Sequence, residues 1–426
     1  MGESGKDAIS PLDQHIGVTT YMKLTKIYTD TRSDKLIFCC DVETRSDSEG
    51  FTITFEISPI LDLSLGTADP FVLPCLLMAM ERREDLDIAV PVSARLFHSV
   101  RTLLVPVLGK MLSLDQNIRV RASKTTSEGY SNNLGVIAGF SGGIDSYAML
   151  RDHYFEAPVP EYKLTHLLFN DVGSHNVRVK GQTEKGQEIY SNHLARIQCI
   201  ANQLQLPLIR VRSNIDPLLR GGWRLGFGRT HTIRHVSIAL LMQSICRQFY
   251  YASGFSYVDL NFCDVDDISR GDPVLLQLCS TESMDCLSVG GQYTRVEKTQ
   301  IVADMPLAHQ TLDVCWGQLS DKINCGRCSK CKRTILTLEI LGKLQFFEKV
   351  FDLEAYYKER SAFIAQVLSS ERTLLVEIRD LARSRGYRFP TRAHIQSYLS
   401  DLPFKKAIPA SVKQAMKRLL TGNRDL

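Results

Sequence analysis

A short segment of small residues near the middle of the chain has the composition of a phosphate-binding turn. It reads Ser141-Gly142-Gly143-Ile144-Asp145-Ser146. The apolar residues 134–140 before it are typical of a buried strand, and residues 144–154 after it are typical of a helix. A helix N-terminus carries free N–H groups and a partial positive charge, and glycines let a phosphate approach the backbone closely. The segment therefore predicts a phosphate site, to which Ser141 and Ser146 add hydroxyl donors.

Asp145 places a negative charge beside this predicted phosphate site. We expect it to orient the loop or to help hold Mg²⁺. The segment lacks the lysine of a Walker A loop and the Gly-x-Gly-x-x-Gly pattern of a dinucleotide-binding turn. An ordinary tight turn built from small residues is the plainer interpretation of the glycines and serines.

Four clustered cysteines form the second group with a chemical role. Cys315 is followed by nine residues and then by Cys325, Cys328 and Cys331 in a Cys-x-x-Cys-x-x-Cys run. Four thiolates suit tetrahedral Zn²⁺ and leave no open coordination position, so the spacing predicts a structural zinc site. An iron–sulfur cluster and a redox dithiol are the alternatives. The other eight cysteines are predicted to be small core residues: Cys39, Cys40, Cys75, Cys199, Cys246, Cys263, Cys279 and Cys286.

The composition is that of an ordinary globular protein. Of the 426 residues, 44% are hydrophobic and 23% are charged, and the formal net charge is +4. Residues 400–426 account for that whole excess. The rest of the chain therefore has no net positive charge that would favour nucleic-acid binding. Residues 71–80 form the longest mostly apolar stretch, whereas a membrane span needs about twenty residues. The N-terminus lacks the apolar region of a secretory signal, and we expect a cytoplasmic protein.

Hydrophobic patterning predicts four regions. Residues 1–16 are polar and predicted to be disordered, residues 17–125 form a small α+β accessory domain, and a polar linker follows up to residue 133. From residue 134 strands and helices alternate, which predicts an α/β fold with a parallel sheet and flanking helices. Residues 336–426 are predicted to be a helical C-terminal region. The alternating elements are strands at 134–140, 165–169, 207–211 and 257–262 and helices at 144–154, 187–204 and 232–251.

The loop matches the Ser-Gly-Gly-x-Asp-Ser motif of the PP-loop, or N-type, ATP pyrophosphatase superfamily. This resemblance implies the sheet-and-helix fold shared by adenine nucleotide α hydrolases. It also implies that ATP adenylates a carboxyl or amide oxygen and that pyrophosphate is released. The resemblance places two groups of residues at ATP. Those at the pyrophosphate are Ser141, Gly142, Gly143, Asp145 and Ser146, and those at the adenine are Phe169, Asn170 and Asp171.

The cysteine spacing resembles more narrowly that of the 7-cyano-7-deazaguanine synthases, a branch of the superfamily whose zinc run is one residue shorter. Residues 297–302 are similar to that family's Ser-Lys-x-Glu-Ile-Val segment. This match implies that Lys298 stabilises phosphate charge, and a surface lysine near a helix start is the alternative. The family's Pro-Gly-Arg-Asn substrate segment corresponds to residues 226–231 of this chain. Arg229 stands at the position of the family's arginine, and the asparagine is missing. The resemblance covers residues 134–335, and the family lacks the N-terminal and C-terminal regions.

Three further side chains lie one helical turn apart and would share a helix face. His231, Arg234 and His235 could bind an anionic substrate or transfer a proton, and a polar helix end is the alternative. Trp223 lies in a glycine-rich loop and could stack on a flat base, or else pack against the sheet.

These features lead us to expect an ATP-dependent ligase that forms a C–N bond. It would activate a carboxylate, such as a deazaguanine, as an acyl adenylate and pass it to ammonia or an amine. Enlarged relatives resemble proteins of anti-phage islands, so a protein acceptor is a candidate partner. The expected catalytic residues are Asp145, Lys298 and Arg229, and the expected cofactors are ATP, Mg²⁺ and Zn²⁺. The alternatives are a PP-loop tRNA sulfur transferase and a non-enzymatic nucleotide-sensing subunit of a defence complex.

Overall fold

The computed structural model describes residues 21–32, 34–45, 50–175, 183–220, 225–315 and 321–401. Within these residues a ten-stranded sheet forms the centre of the molecule. Its strands are β1 (Tyr21–Arg32), β2 (Lys35–Thr44), β3 (Phe51–Ser58), β4 (Asp85–Ile88), β6 (Val120–Ala122), β8 (Gly135–Gly139), β9 (His166–Asp171), β10 (Leu208–Ser213), β11 (Cys246–Ala252) and β12 (Asp285–Val289), while β5 (Val92–Ser93) and β7 (Thr125–Thr126) pair separately.

Helices cover the sheet and continue to the end of the described chain. They are α1 (Asp69–Arg82), α2 (Ala94–Ser99), α3 (Val105–Leu112), α4 (Ile144–Leu150), α5 (Thr183–Leu204), α6 (Ile215–Arg220), α7 (Phe227–Ala239), α8 (Asp272–Leu278), α9 (Arg295–Ala303), α10 (Pro306–Thr311), α11 (Ser329–Ile340), α12 (Leu353–Ser369), α13 (Thr373–Ser384) and α14 (Thr391–Asp401). Among the described residues, no helix combines the length and the apolar character that crossing a membrane requires.

The sheet is mostly parallel, with the strand order β12-β11-β8-β9-β10-β3-β2-β1-β4-β6. The five strands from β12 to β10 are all parallel to their neighbours. The pairs β10–β3, β3–β2 and β2–β1 are antiparallel, and β4 and β6 extend the far end in parallel. The predicted α/β class with a largely parallel sheet, flanking helices and a helical C-terminal region is therefore confirmed. Its identity with the adenine nucleotide α hydrolase fold stays a prediction.

The N-terminal strands belong to the same sheet as the strands that follow residue 134. Ser58 to Phe55 on β3 pair with Arg210 to Ser213 on β10. Asn214 strengthens this seam, because its side chain accepts from the Thr54 N–H at 2.9 Å and donates to the Thr52 carbonyl at 2.8 Å. One cluster of buried apolar side chains also runs from Met22 to Cys286. The division into domains stays a prediction, but the two regions share a sheet and a core.

Two predicted elements were wrong. The helix predicted for residues 232–251 ends at Ala239, and the second half of that apolar run forms strand β11. Hydropathy alone does not separate a buried helix from a buried strand, and the aromatic residues at 249–251 favour the strand. The strand predicted at residues 257–262 is a short 3₁₀ helix, Tyr257–Asp259, within a loop.

Two smaller cores lie on the side of the sheet that carries the phosphate loop. One packs β8, α4 and the cysteine segment together and includes Val136, Tyr147 and Cys331. The other joins the C-terminal helices to α9 and α11 and includes Val296, Leu336 and Ile378. The C-terminal helices are therefore fixed against the elements that surround the loop.

Candidate functional site

The predicted phosphate loop connects the carboxyl end of β8 to the N-terminus of α4. Gly142 has φ +69°, a left-handed conformation that glycine adopts at low cost. The Ser141 N–H donates to Ser146 Oγ at 3.1 Å, and the two serine hydroxyls lie 3.0 Å apart. The serine side chains therefore hold the loop in shape. Its amides at the helix N-terminus remain the groups suited to an anion.

Asp145 and Lys298, both predicted to be catalytic, are brought together. Lys298 Nζ lies 3.2 Å from Asp145 Oδ1 and donates to the Ser253 carbonyl at 2.6 Å. Arg295 Nη2 lies 3.0 Å from Asp145 Oδ2. Burial raises the pKa of Asp145, but attraction to Arg295 and Lys298 outweighs it and holds that pKa below its ordinary value. Burial lowers the pKa of Lys298, and Asp145 opposes this shift.

Helix α9 presents both cations to the loop because its N-terminus is firmly capped. Thr294 accepts from the Glu297 N–H, and the Glu297 carboxylate accepts in return from the Thr294 N–H. This capping box fixes the first turn of the helix. Arg295 and Lys298 lie three residues apart and so share the face that meets Asp145.

A cleft of about 80 Å³ lies between the loop, α9, the segment before Cys315, α11 and α13. Three cationic side chains line it: Arg295, Lys330 and Arg333. Arg295 Nε is buried and has no hydrogen-bond partner among the described residues. Burial and then repulsion from Arg295 lower the pKa of Arg333 to about 10, so it remains charged at neutral pH. The excess of positive charge favours an anion.

The two carboxylates that line this cleft are already paired with cations. Asp145 is held by Arg295 and Lys298, and Asp313 Oδ2 lies 2.6 Å from Arg196 Nη2. Because both Asp145 oxygens face cations, this donor set does not fit a protein-bound Mg²⁺, which needs free carboxylate oxygens. The carboxylates instead orient the cations.

The four predicted metal ligands meet beside the cleft. The Sγ atoms of Cys315, Cys325, Cys328 and Cys331 all lie within 4.8 Å of one another. Zn–S bonds of about 2.3 Å in a tetrahedron separate sulfurs by about 3.8 Å, so the cluster fits a metal such as zinc. Hydrogen bonding within the cluster, from Cys325 first, holds the pKa of Cys315 below its ordinary value. Four protein ligands would leave a tetrahedral metal no open coordination position.

Backbone geometry explains how the distant Cys315 joins the other three ligands. Asn324 is fully buried and ties the segment before Cys315 to the cluster. Its side chain donates to the Leu312 carbonyl at 2.7 Å and accepts from the Val314 N–H at 2.8 Å. Gly326 has φ +67°, and a Cβ there would lie 2.0 Å from the Asp352 carbonyl oxygen. The turn between Cys325 and Cys328 therefore requires glycine.

The cysteine cluster also positions part of the cleft. Cys328 caps the N-terminus of α11, and its sulfur accepts from the Cys331 N–H at 3.5 Å. Lys330 and Arg333 follow on the first turns of α11, and Cys315 itself lines the cleft. A metal at this site would hold two of the three cleft cations in place.

The end of β9, predicted to reach adenine, is buried. The Phe169 side chain is 3% exposed and packs edge-on to the His193 ring at 4.9 Å. Asn170 Nδ2 donates to His235 Nδ1 at 3.1 Å, while its Oδ1 is buried without a hydrogen-bond partner among the described residues. That orphaned acceptor marks Asn170 as a group able to take a further donor.

His231 and His235, predicted as substrate residues, share a helix face toward Tyr251. His231 Nδ1 lies 2.8 Å from the Tyr251 hydroxyl, and its Nε2 lies 3.1 Å from Asp267 Oδ1. The His235 ring lies 5.7 Å from the Tyr251 ring. Burial, with repulsion from His231 and Arg234, lowers the pKa of His235 to about 3, so its imidazole is neutral at neutral pH.

Arg234 has a structural role. It is fully buried, and it donates to Asp216 Oδ1 at 2.8 Å, to the Val172 carbonyl at 2.7 Å and to Thr230 Oγ1 at 2.8 Å. These bonds tie α7 to α6 and to the loop after β9. The substrate role predicted for Arg234 stays a prediction, and these donors are engaged inside the protein.

Arg229 is better placed for an anion than Arg234. Its Nη2 lies 3.7 Å from Asp264 Oδ1, and its Nε and Nη2 are buried without hydrogen-bond partners among the described residues. The predicted substrate role of Arg229 stays a prediction. Trp223 lies outside the described residues.

No protein-family model, curated protein or solved structure matches the chain. The resemblance to the PP-loop superfamily and to the 7-cyano-7-deazaguanine synthases therefore stays a prediction, and the function is argued from the site itself.

Sequence patterns did not indicate several residues of the site. Arg295 lies three positions before Lys298, so the helix period could have identified it. Lys330 lies inside the cysteine run and Arg333 lies just after it. The pattern of this segment indicates metal ligands and does not by itself indicate an anion site. Asp313, Arg196, His175 and His193 carry no motif, since they approach the loop from elements distant in sequence.

Proposed function

We propose that the chain binds ATP with its phosphates against the loop at residues 141–146 and transfers AMP to a substrate carboxylate. The cationic cleft carries this proposal. Loop amides, Arg295 and Arg333 converge on a space whose two lining carboxylates are paired with cations, Asp145 with Arg295 and Lys298 and Asp313 with Arg196. Such a space is suited to a polyphosphate, because helix N-termini and arginines are strong phosphate ligands.

The size of the cleft indicates which part of ATP it would enclose. About 80 Å³ accommodates a phosphate group, whereas pockets that enclose a whole ligand of nucleotide size measure about 300–1,000 Å³. The adenosine half would therefore lie outside the cleft, toward the carboxyl end of β9. There the orphaned Asn170 Oδ1 could accept from the adenine amino group.

In the first step a substrate carboxylate oxygen attacks the α-phosphorus. The bond from that phosphorus to the oxygen shared with the β-phosphorus breaks, and pyrophosphate leaves with the electron pair. Arg295, Lys298 and the loop amides would stabilise the negative charge that develops on this leaving group. An amine nitrogen then attacks the acyl carbon, AMP departs, and the amine proton passes to water.

The cysteine metal takes no part in these steps. With four thiolate ligands it has no open position, and it would support α11 so that Lys330 and Arg333 face the phosphates. Sulfur transfer has less support, because the cysteines nearest the loop are the four that could hold a metal.

The test incubates the protein with α-labelled ATP, Mg²⁺, ammonia and a panel of carboxylates that includes a carboxydeazaguanine. The labelled product is then identified as AMP or ADP. Labelled AMP that depends on one carboxylate and is lost in Asp145→Ala would support the proposal. Asp304→Ala is the matched control, since that carboxylate is exposed and pairs with Lys343 away from the loop. Robust ADP formation that Asp145→Ala abolishes would overturn it.

A binding measurement separates a silent enzyme from a wrong site. Pyrophosphate and ATP should bind the parent protein and the Asp304→Ala variant alike, and should bind Asp145→Ala weakly. Equal binding by all three proteins would place the nucleotide elsewhere. Binding without turnover on any carboxylate would favour the nucleotide-sensing alternative.

A further inference from the structure

Two buried histidines connect the end of β9 to the phosphate loop. His175 and His193 are 2% and 3% exposed. His175 Nε2 lies 3.3 Å from His193 Nδ1, and His193 Nε2 lies 2.8 Å from the Ser141 carbonyl oxygen. At the other end, His175 Nδ1 lies 3.2 Å from Ser174 Oγ and 3.5 Å from Asp171 Oδ1. The proposed adenylation chemistry uses neither imidazole.

The Ser141 carbonyl determines the direction of these hydrogen bonds. A carbonyl oxygen only accepts, so the proton of His193 is on Nε2. Nδ1 of the neutral His193 ring is then an acceptor, and His175 Nε2–H donates to it. His175 Nδ1 in turn accepts from the Ser174 hydroxyl. Both rings can therefore be neutral and fully hydrogen-bonded, which is the condition under which buried imidazoles are tolerated.

A second contact holds the next carbonyl of the loop. The Asp313 N–H donates to the Gly142 carbonyl at 2.8 Å. The Asp313 carboxylate lies 3.9 Å from His193 Nε2 and is itself bound by Arg196. Ser141 and Gly142 thus have both carbonyl oxygens engaged on the side of His193 and Asp313.

Peptide geometry gives these contacts a consequence for the loop amides. A trans peptide is planar, and its N–H points away from its C=O. The Ser141 carbonyl belongs to the same peptide as the Gly142 N–H, and the Gly142 carbonyl belongs to that of the Gly143 N–H. Holding these two oxygens therefore aims the two glycine amides in the opposite direction.

We propose that His193 is a positioning residue for phosphate binding: by holding the Ser141 carbonyl it aims the Gly142 amide at the phosphate. His175 supports its ring from just after β9 and so joins the proposed adenosine side to the phosphate side. This proposal rests on the proposed function, because it assumes that the loop amides receive a phosphate.

The test uses variants that differ only in the donor to Ser141. His193→Gln can place an amide N–H where Nε2 stands, whereas His193→Asn places it nearer to Nδ1 and His193→Leu removes it. His309 provides the matched control, since its Nε2 lies 2.9 Å from the Ala303 carbonyl and its ring stacks on Phe346 without a bond to a loop carbonyl. The same three substitutions are made there.

Pyrophosphate is the probe, and its dissociation constant is measured by calorimetry on the folded proteins. His193→Leu and His193→Asn should bind it on the order of tenfold more weakly, because one aligned amide donor is lost. His193→Gln should bind within about threefold of the parent, and the His309 variants should match it. Parental binding by a folded His193→Leu or His193→Asn would overturn the proposal, and so would a His193→Gln variant as weak as His193→Leu.

Amide hydrogen exchange of residues 139–147 in the ligand-free protein tests positioning without any nucleotide. Exchange should quicken in His193→Asn and stay near the parental rate in His193→Gln and the His309 variants. If the parent itself fails to bind pyrophosphate, the proposed function fails, and this exchange pattern still decides the positioning claim. Unchanged exchange in His193→Asn would overturn it.

Discussion

At the scale of single residues, the pairing of Lys298 with Asp145 joins the phosphate loop to α9. Lys298 is 1% exposed, and removing an ammonium from water costs several kcal/mol unless its partners compensate. Asp145 and the Ser253 carbonyl supply that compensation. Asp145 therefore has two roles, since it orients the cations of the cleft and keeps a buried charge stable.

Lys298→Met should lower the free energy of unfolding by about 1–3 kcal/mol, because it leaves the Ser253 carbonyl and part of the Asp145 charge unpaired. Combining it with Asp145→Asn should recover part of the loss, since the neutral amide no longer needs a cation. Urea denaturation of the parent, the two single variants and the double variant measures this coupling. Additive losses would mean that the two side chains do not stabilise one another.

Asp272 gives a pH prediction at the same scale. It is fully buried, Thr232 donates to its Oδ1 at 2.7 Å, and its Oδ2 has no partner among the described residues. Burial raises its pKa well above the ordinary value. A carboxyl with a raised folded pKa stabilises the protein below its unfolded pKa, and this stability is lost as pH rises toward the folded pKa.

The contribution of this group to the free energy of unfolding should therefore fall with rising pH above about pH 4, by up to about 1.4 kcal/mol per pH unit. Asp272→Asn should remove that contribution, so that the difference between variant and parent grows in the variant's favour as the pH rises above about 4. Urea denaturation across that range measures it. A constant difference would show that Asp272 does not titrate with an altered pKa.

At the scale of elements, the parts of the site that could be predicted are those whose residues are close in sequence. The loop and the cysteine run each lie within one short segment, and both were predicted from spacing and residue type. Arg196 and Asp313 reach the loop from α5 and from the segment before Cys315, and only the fold shows that they meet. The boundary of α7 with β11 was missed because a continuous apolar run has no period that separates helix from strand.

Two glycines with nearly equal φ angles provide a test of the turn that carries the metal ligands. Gly326 has φ +67° and faces the Asp352 carbonyl, whereas Gly342 has φ +68° and a Cβ there would meet nothing within 4 Å. Gly342→Ala should cost about 1 kcal/mol from backbone strain alone, with one zinc retained per chain. Gly326→Ala should cost more and lose zinc, because the turn that carries Cys325 and Cys328 must move.

Metal analysis and urea denaturation of both alanine variants, prepared side by side, give the comparison. Zinc retained equally by the two variants would show that the turn is not held by the contact with Asp352. A well-folded parent without any metal would reject the zinc site itself.

At the scale of the whole molecule, the sheet is continuous across the predicted domain boundary. The antiparallel seam between β3 and β10 and the core from Met22 to Cys286 couple the two regions. The sequence predicted strands on both sides of residue 125, but not that they pair, because pairing between distant strands leaves no local pattern. The C-terminal helices likewise complete the cleft, to which α13 contributes Leu374 and Ile378.

The N-terminal and central regions should therefore unfold in one transition. Circular dichroism and exchange protection on β2 and β9 should give coincident urea midpoints. Asn214→Ala, which removes both side-chain bonds at the seam, should move that single transition to lower urea, and the exposed Asn202→Ala should leave it in place. Separate midpoints for β2 and β9 would show that the regions are independent domains.

The position of β3 also determines where the sheet could associate with other chains. A strand at the edge of a sheet presents unpaired N–H and C=O groups, which invite strand addition and aggregation. Without its N-terminal strands the parallel half would end at β10, whose six residues would offer such an edge. Pairing with β3 covers that edge, and at the far end of the sheet the last strand is β6, with three residues. Pairing with β3 thus removes the edge at which the parallel half of the sheet could self-associate.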